Sequence, residues 1–353
     1  MASEISLSGL TLEPQEATEV SQAVFEAAYA IPALADAHDV RTGIQMKTQI
    51  PLFGQLGILG KKSSGCTPSA GGVISTTEKY WDPQLIDFRL THCQGDLSQL
   101  FKLWKRSRVA LNTWEDVDNE MMNFIADRAI EATAETILRI SSFGDSTGKL
   151  VADGGVITAG TTIAYFTMLD GLWKQIFTAV TAGDLTAKYA ITENSGVSYV
   201  AQLALASDRA LNVLRELYTK IDPRVFAMTG LVFEMTRSLF SNWQDYMETQ
   251  SINFTLDRTE AGSTKWTYRG IPIVVRDDWD RNIRAYEDNG TTYNLPHRAL
   301  LSPIGNIPVG TSDVESFNQF DAFYDKVTKS HYTDMAFYLD VKEIEEYAIS
   351  VAF

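Results

Sequence analysis

The sequence contains few of the side chains that bind metals or form disulfides. Only two of its 353 residues are cysteines, Cys66 and Cys93, and four are histidines. The cysteines lie far apart and form no Cys-x-x-Cys pair, which is typical of free thiols in a reducing compartment. No histidine has a second histidine or a cysteine pair at metal-ligand spacing. We therefore expect no disulfide framework, no metal site and no cofactor.

The sequence also lacks any run of the twenty or so apolar residues that a membrane helix needs. It begins without the basic stretch and apolar core of a secretory signal, so we expect a protein made and kept in the cytosol. At 45% hydrophobic and 11% aromatic residues, the chain can bury a core. We expect a folded protein that contacts no membrane.

Positive charge is scarce. The net charge is −15, and the first forty residues carry acidic side chains but no lysine or arginine. Proteins that bind nucleic acids tightly do so through lysine and arginine on phosphates, so this balance argues against a nucleic-acid binder.

The most glycine-rich stretch, "FGQLGILGKKSSGCTPSAGG" at 53–72, fails as a phosphate-binding loop. Gly60-Lys61 resembles the second half of a P-loop, but Gln55 stands where the first glycine is needed. Lys62 stands where a hydroxyl should hold magnesium. The spacing also fails the Gly-x-Gly-x-x-Gly fingerprint. The stretch therefore reads as a long, hairpin-like loop.

This loop is unusually apolar for a surface segment, because exposed loops rarely carry many large apolar groups unless something covers them. We therefore expect another surface to cover this loop. The sequence also predicts an alanine-rich amphipathic helix at 14–31. For that helix the sequence leaves two options open, packing on its own domain or on a neighbour. The predicted subunit-contact residues are Leu52, Phe53, Leu56, Ile58, Leu59, Val20 and Val24.

The remaining pattern predicts an α+β protein, because helices and strands do not alternate regularly. We expect a short helix at 96–108, a long helix at 115–142, and helices at 168–181, 198–220 and 230–248. Strands are expected at 84–92, 252–257 and 264–276, the last with a turn at Arg269-Gly270. "DPRVFAMTG", which begins at Asp222, reads as turn, strand and turn. Two alternating strands at 335–341 and 347–353 predict that the C-terminus lies in a sheet.

Candidate chemistry is weak throughout. In "DDWDRN", residues 277–282, Asp278, Asp280 and Asn282 match the first ligands of a calcium-binding EF-hand loop. Ile283 and Asn289 occupy the positions of the required glycine and glutamate, so we expect a solvated turn instead. The sequence has no Gly-x-Ser-x-Gly nucleophile motif, and no pair of carboxylates stands out. We expect no enzyme activity and no catalytic residues.

The order of these elements resembles the major capsid protein of tailed double-stranded-DNA bacteriophages, the HK-ninety-seven-like capsid fold. The likeness includes the late strand "WTYRGIPIVVRDDWD", with Tyr268, Gly270, Pro272 and Val275 at the family's Tyr-x-Gly-x-Pro-x-x-Val positions. It also includes "KYWDPQLIDFRLTHCQGDLSQLFKLWKRS" at 79–107 and the strand-rich end. The resemblance implies an N-terminal arm at 1–44, an extension loop at 45–92, a peripheral domain at 93–170 and 295–334 with its spine helix at 115–142, and an axial domain at 171–294 and 335–353.

The resemblance further implies a structural subunit that forms hexamers and pentamers of itself in an icosahedral shell around phage DNA. It would be made in the host cytoplasm and reside in the virion capsid. Its partners would include portal protein, a scaffold made as a separate protein and decoration proteins, with only weak, non-specific contact to DNA. Two alternatives remain open from the residues alone: a cytosolic enzyme with a dispersed site, and a ring-forming virion or tail-associated protein.

Overall fold

The computed structural model describes residues 14–44, 46–50, 79–93, 117–148, 163–250, 256–258, 264–312, 321–325, 327–328 and 330–353. The helices are α1 (Pro14–Tyr29), α2 (Pro32–Ala35), α3 (Val117–Phe143), α4 (Leu172–Ala182), α5 (Tyr199–Leu203), α6 (Arg209–Lys220), α7 (Arg237–Thr249) and α8 (Asp277–Tyr286). The strands are β1 (Val40–Arg41), β2 (Thr48–Ile50), β3 (Lys79–Trp81), β4 (Gln84–Cys93), β5 (Lys188–Tyr189), β6 (Leu231–Thr236), β7 (Leu256–Arg258), β8 (Thr264–Tyr268), β9 (Ile271–Arg276), β10 (Ala299–Pro303), β11 (Val309–Thr311), β12 (Asp321–Asp325), β13 (Ser330–Val341) and β14 (Ser350–Ala352). The helix predicted at 96–108 lies outside these ranges.

The first of two large sheets is built on β13, which pairs with β4 in antiparallel register from Ser330↔Cys93 to Leu339↔Gln84. On its other side β13 pairs with β11 and β12, and β1 completes the sheet beside β11. Along β13, buried residues such as Met335, Phe337 and Leu339 alternate with half-buried ones, as the alternating pattern of the sequence predicts. The strand runs without a break across the predicted domain boundary at residues 334–335.

The second sheet has seven strands in the order β5-β14-β10-β6-β9-β8-β7. Helices α6 and α7 bury their apolar sides against it, in a core that includes Leu214, Phe240 and Trp243. Strand β14 lies between β5 and β10, with Val351 opposite Leu300. The prediction that the C-terminus is locked into a sheet is therefore confirmed.

The long predicted helix is confirmed as α3, and it lies under the first sheet. Ile137 and Ile140 are fully buried, and the Thr133 hydroxyl lies 3.4 Å from the Met335 sulfur on β13. Beyond the helix, Gly144 passes very close to another backbone segment. A Cβ there would lie 2.4 Å from the Leu169 carbonyl oxygen, so only glycine fits at this crossing.

Three local predictions are wrong. The helix predicted from residue 230 is strand β6 up to Thr236, because this buried apolar segment pairs with β9 and β10 on both sides. The strand predicted within "DPRVFAMTG" is a 3₁₀ helix, Pro223–Ala227, whose first turn is capped by the Asp222 side chain. The helix predicted at 198–220 is divided into α5 and α6, with α5 capped separately by Ser198.

Candidate assembly interface

The predicted contact residues fall in two places. Leu52, Phe53, Leu56, Ile58 and Leu59 lie outside the described residues. Val24 is fully buried in the core that α1 shares with α3, and Val20 packs against the same core. The sequence left open whether this helix packs on its own domain or on a neighbour. The side that carries Val24 packs on the chain's own core.

A two-stranded ribbon flanks residues 51–78, which lie outside the described residues. Strands β2 and β3 pair in antiparallel register, with Thr48 opposite Trp81 and Ile50 opposite Lys79. The chain therefore leaves and returns at neighbouring positions, which is the arrangement expected of a hairpin-like excursion. The position of this ribbon fixes where the apolar loop starts.

The ribbon is docked on the first sheet through a small apolar cluster. Ile50 and Trp81 are buried, and Ile44 and Ile344 pack against them. The Trp81 ring lies over the backbone of β11 at Gly310, where a Cβ would approach ring carbon Cζ3 to 2.7 Å. The absence of a side chain at Gly310 allows the ribbon to sit this close to the sheet.

We therefore expect Gly310→Ala to displace Trp81 and destabilise the protein. Overpacking of a buried contact costs about 1–3 kcal/mol. Thermal unfolding would measure the change, with Gly305→Ala as the matched control because no atom lies within 4 Å of a Cβ there. Equal melting temperatures for the two variants would contradict the role given to Gly310.

Polar contacts also hold the ribbon. The Lys79 ammonium donates to Glu346 Oε1 at 2.5 Å and to the Glu343 carbonyl oxygen at 2.8 Å. The Asp82 amide donates to Asp340 Oδ2 at 2.7 Å. These bonds tie β3 and the residue after it to the end of β13 and to the segment between β13 and β14.

The Glu343 carboxyl is buried beside this contact, and its Oε2 has no hydrogen-bond partner among the described residues. Burial raises the pKa of Glu343 to about 7; Lys79 opposes this rise, and Glu346 and Asp184 add to it. A carboxyl whose folded-state pKa is raised binds its proton more tightly in the folded state. Its burial therefore costs stability as pH rises from about 4.5 to 7, and the full cost is present above pH 7.

Glu343→Gln should remove this cost. We expect the variant to be more stable than the unmodified protein at pH 8 by up to about 3 kcal/mol, and equally stable at pH 4. Chemical denaturation at a series of pH values would measure the difference, with exposed Glu248→Gln as control. Parallel pH profiles for Glu343→Gln and the unmodified protein would contradict the assignment.

A buried polar network joins the N-terminal segment to the second sheet. Arg276 Nη1 donates to Glu234 Oε2 at 2.5 Å, and Nε and Nη2 each donate to an Asp278 oxygen at 2.9 Å. Nη2 also reaches the Ser142 hydroxyl on α3 at 3.0 Å. His38 Nδ1 lies 3.0 Å from the Ile307 carbonyl oxygen, and Nε2 lies 3.2 Å from Arg276 Nη1 and 3.4 Å from Glu234 Oε2.

The charges in this network compensate each other. Burial opposes the charge on Arg276, but Asp278 and Glu234 outweigh it and raise the pKa of the guanidinium. Burial likewise works against the Glu234 carboxylate, yet His38 and Arg276 hold its pKa below the ordinary value. The network therefore stays ionised and holds β6, β9, α3 and the segment after α2 together.

The solvated turn expected at 277–282 is wrong, because the segment forms the start of α8. Asp278 is buried against Arg276, Asp280 accepts the Arg237 backbone amide, and Asn282 donates to the Asp278 carbonyl oxygen. These side chains are thus bonded to protein groups. Across the part of the chain that the structure describes, no three His, Cys, Asp or Glu side chains cluster as metal ligands.

No protein-family model and no curated protein matches this sequence. A chain of the satellite phage P4 procapsid, a structure that includes the size determination (Sid) protein, matches with a TM-score of 0.51 and 11% identity, over 94% of this chain and 98% of that chain. The Cyanophage A-1(L) capsid gives 0.49 and 11%, over 90% of each chain. The holo-SrpI encapsulin complex from Synechococcus elongatus gives 0.47 and 10%, over 90% of this chain and 84% of that one.

The match to the P4 procapsid chain shows that the two chains share a fold. It confirms the α+β capsid fold predicted from the sequence, over nearly the full length of both chains. Among the described helices, none is long and apolar enough to cross a membrane.

Proposed function

We propose that this chain is the structural subunit of an icosahedral capsid shell that encloses a phage double-stranded DNA genome. The observation that carries the proposal is the fold shared with a procapsid chain over 94% of this chain. The ribbon β2–β3 supports it, because it presents the apolar loop from a fixed base on the first sheet. Copies of the chain would associate as hexamers and pentamers.

In this proposal the loop residues Leu52, Phe53, Leu56, Ile58 and Leu59 lie on a neighbouring subunit. Burying such side chains would stabilise the contact by about 1.5–3 kcal/mol each. The predicted division into arm, extension loop, peripheral domain and axial domain is part of the proposal. So are the portal, scaffold and decoration partners, synthesis in the host cytoplasm and the absence of catalysis.

Sedimentation velocity of the purified protein, expressed alone and with neighbouring phage genes, tests the proposal. We expect particles in the megadalton range, far larger than the 39.2 kDa chain. A small oligomer of fixed size under every condition would contradict it and would favour the enzyme or ring-protein alternatives.

A further inference from the structure

The seven-stranded sheet carries two exposed apolar patches, one near each end of its central strands. The valine patch consists of Val197, Val200 and Leu203, and the arginine patch consists of Phe226, Met228 and Arg269. Within the described residues, Val197 and Val200 are 88% and 80% exposed, and Phe226 is 44% exposed. Several large apolar side chains exposed near one another mark interaction sites more often than single ones do.

Strand registers place the patches at opposite ends. Met228 comes just before β6, and Arg269 comes just before β9, which runs parallel to β6 with Phe233 opposite Ile273. At the other end Ala299 begins β10 opposite Met235, near the last residue of β6. The segment before β10 is bonded to the valine patch, because His297 Nε2 donates to the Gln202 carbonyl oxygen at 2.8 Å.

The length of helix α6 also indicates that the two patches are far apart. It begins after the valine patch and ends before the arginine patch, and its 12 residues span about 18 Å. Two patches this far apart cannot be covered by one small partner. They suit two neighbours that approach from opposite sides.

The backbone that carries the valine patch is held by hydrogen bonds within the chain. Val200 and Leu203 lie three residues apart on one side of α5, and Val197 comes just before its cap residue Ser198. Two buried amides hold this segment: Asn194 Nδ2 donates to the His297 carbonyl oxygen, and Gln202 Nε2 donates to the Tyr293 carbonyl oxygen, each at 2.8 Å. A backbone held in this way loses little conformational entropy on binding.

Arg269 occupies a backbone position that arginine does not favour. Its φ is +53°, and the next residue, Gly270, has φ +80°, which makes a hairpin turn where Asn, Asp or Gly is preferred at both positions. The guanidinium is exposed and lies over the rings of Tyr218 and Tyr268, at 4.6 and 5.4 Å. No described carboxylate forms an ion pair with it. Unfavourable backbone of this kind clusters at functional sites.

Each end carries an exposed charge without an ion-pair partner among the described residues, and the two charges are opposite. Asp208 lies at the start of α6, five residues after Leu203, and its carboxylate accepts from Asn212 but pairs with no described cation. Arg269 supplies the cation at the other end. An exposed carboxylate near one apolar patch and an exposed guanidinium in the other fit a head-to-tail contact, which closes into rings when the rotation allows.

We propose that the valine patch of one copy packs on the arginine patch of the next, with Asp208 facing Arg269. The partner is therefore a second copy of this chain. The proposal rests on the proposed function, because it assumes that copies of the chain associate. It adds the two surfaces through which neighbouring seven-stranded sheets would join into a ring.

Two variants test the contact, each measured for particle formation by sedimentation and for melting temperature as dissociated subunit. Val200→Asp should lower the yield of particles at least about tenfold, because it places a charge in a buried apolar contact. Val327→Asp is the matched control, since Val327 is 91% exposed and belongs to neither patch. Arg269→Asn should weaken assembly with little change in melting temperature, because asparagine suits positive φ and this gain offsets the lost contacts with Tyr218 and Tyr268.

The exchange variant Asp208→Arg with Arg269→Asp should recover assembly relative to either single change. Particle yields for Val200→Asp equal to those for Val327→Asp would overturn the proposed contact while leaving the shell function intact. If the unmodified protein forms only rings, the same comparison is made on the rings. If it remains monomeric under every condition, both the contact and the shell function are overturned.

Discussion

Deletion of residues 53–72 is expected to abolish shell assembly and to leave a folded subunit. The deletion removes most of the apolar loop but keeps β2 and β3, whose pairing and buried side chains Ile50 and Trp81 hold the ribbon on the first sheet. The deleted protein would lack the contacts that these apolar residues make with a neighbouring subunit. Each such buried side chain would contribute about 1.5–3 kcal/mol to the contact. Sedimentation would measure assembly, and thermal unfolding would measure the integrity of the subunit.

A point substitution gives the matched test. Leu56→Asp should impair assembly much more than it lowers the melting temperature of the unassembled subunit. Equal loss of both would make Leu56 an ordinary core residue of its own chain. Normal shells from the deleted protein would show that the loop has no part in assembly.

Arg276→Leu is expected to cause the largest loss of stability of any single change considered. It leaves Glu234 and Asp278 buried without their cation, and removal of one partner from a buried ion pair costs about 3–5 kcal/mol. The change also removes the bonds to Ser142 and His38, so α3 and the N-terminal segment lose a shared anchor. Denaturant unfolding would measure the free energy difference.

Arg128→Gln serves as the control. Arg128 pairs with Glu131 on the exposed side of α3, with both side chains at least half exposed, and such pairs contribute little. A similar effect for the two arginine variants would contradict the importance of the buried network. A loss of assembly without a loss of stability in Arg276→Leu would equally contradict it.

Elements with strong local signals were predictable from the sequence. The Arg269-Gly270 turn between two β-rich runs is the observed hairpin of β8 and β9, and the alternating segment at 335–341 is the second half of β13. The strand predicted at 347–353 is confirmed only from Ser350, because Glu346–Ala348 is a 3₁₀ helix. The long apolar stripe that ends near residue 142 is α3. In each case local pattern and tertiary packing favour the same structure.

Elements that depend on distant partners were not predictable. "LVFEMT" at 231–236 places a glutamate among apolar residues, which fits an amphipathic helix as well as a strand. The segment is a strand because it pairs with β9 and β10 on both sides. The buried Glu234 carboxylate forms an ion pair with Arg276, forty-two positions away in the chain. One signal was available: a lone charge inside an apolar run of this kind requires a buried partner.

The same reason explains the valine patch. Val200 and Leu203 have the spacing of a helix's buried side, so pattern alone would assign them to the core. The folded structure shows both exposed on α5, where Gln202 is instead buried and bonded to Asn194 and Tyr293.

The measurement that most directly tests the account is negative-stain electron microscopy of the purified protein, expressed alone and together with neighbouring phage genes. The account predicts closed shells, or sheets of hexamers, built from this chain. A small discrete oligomer in every preparation, with no shell or sheet, would contradict it.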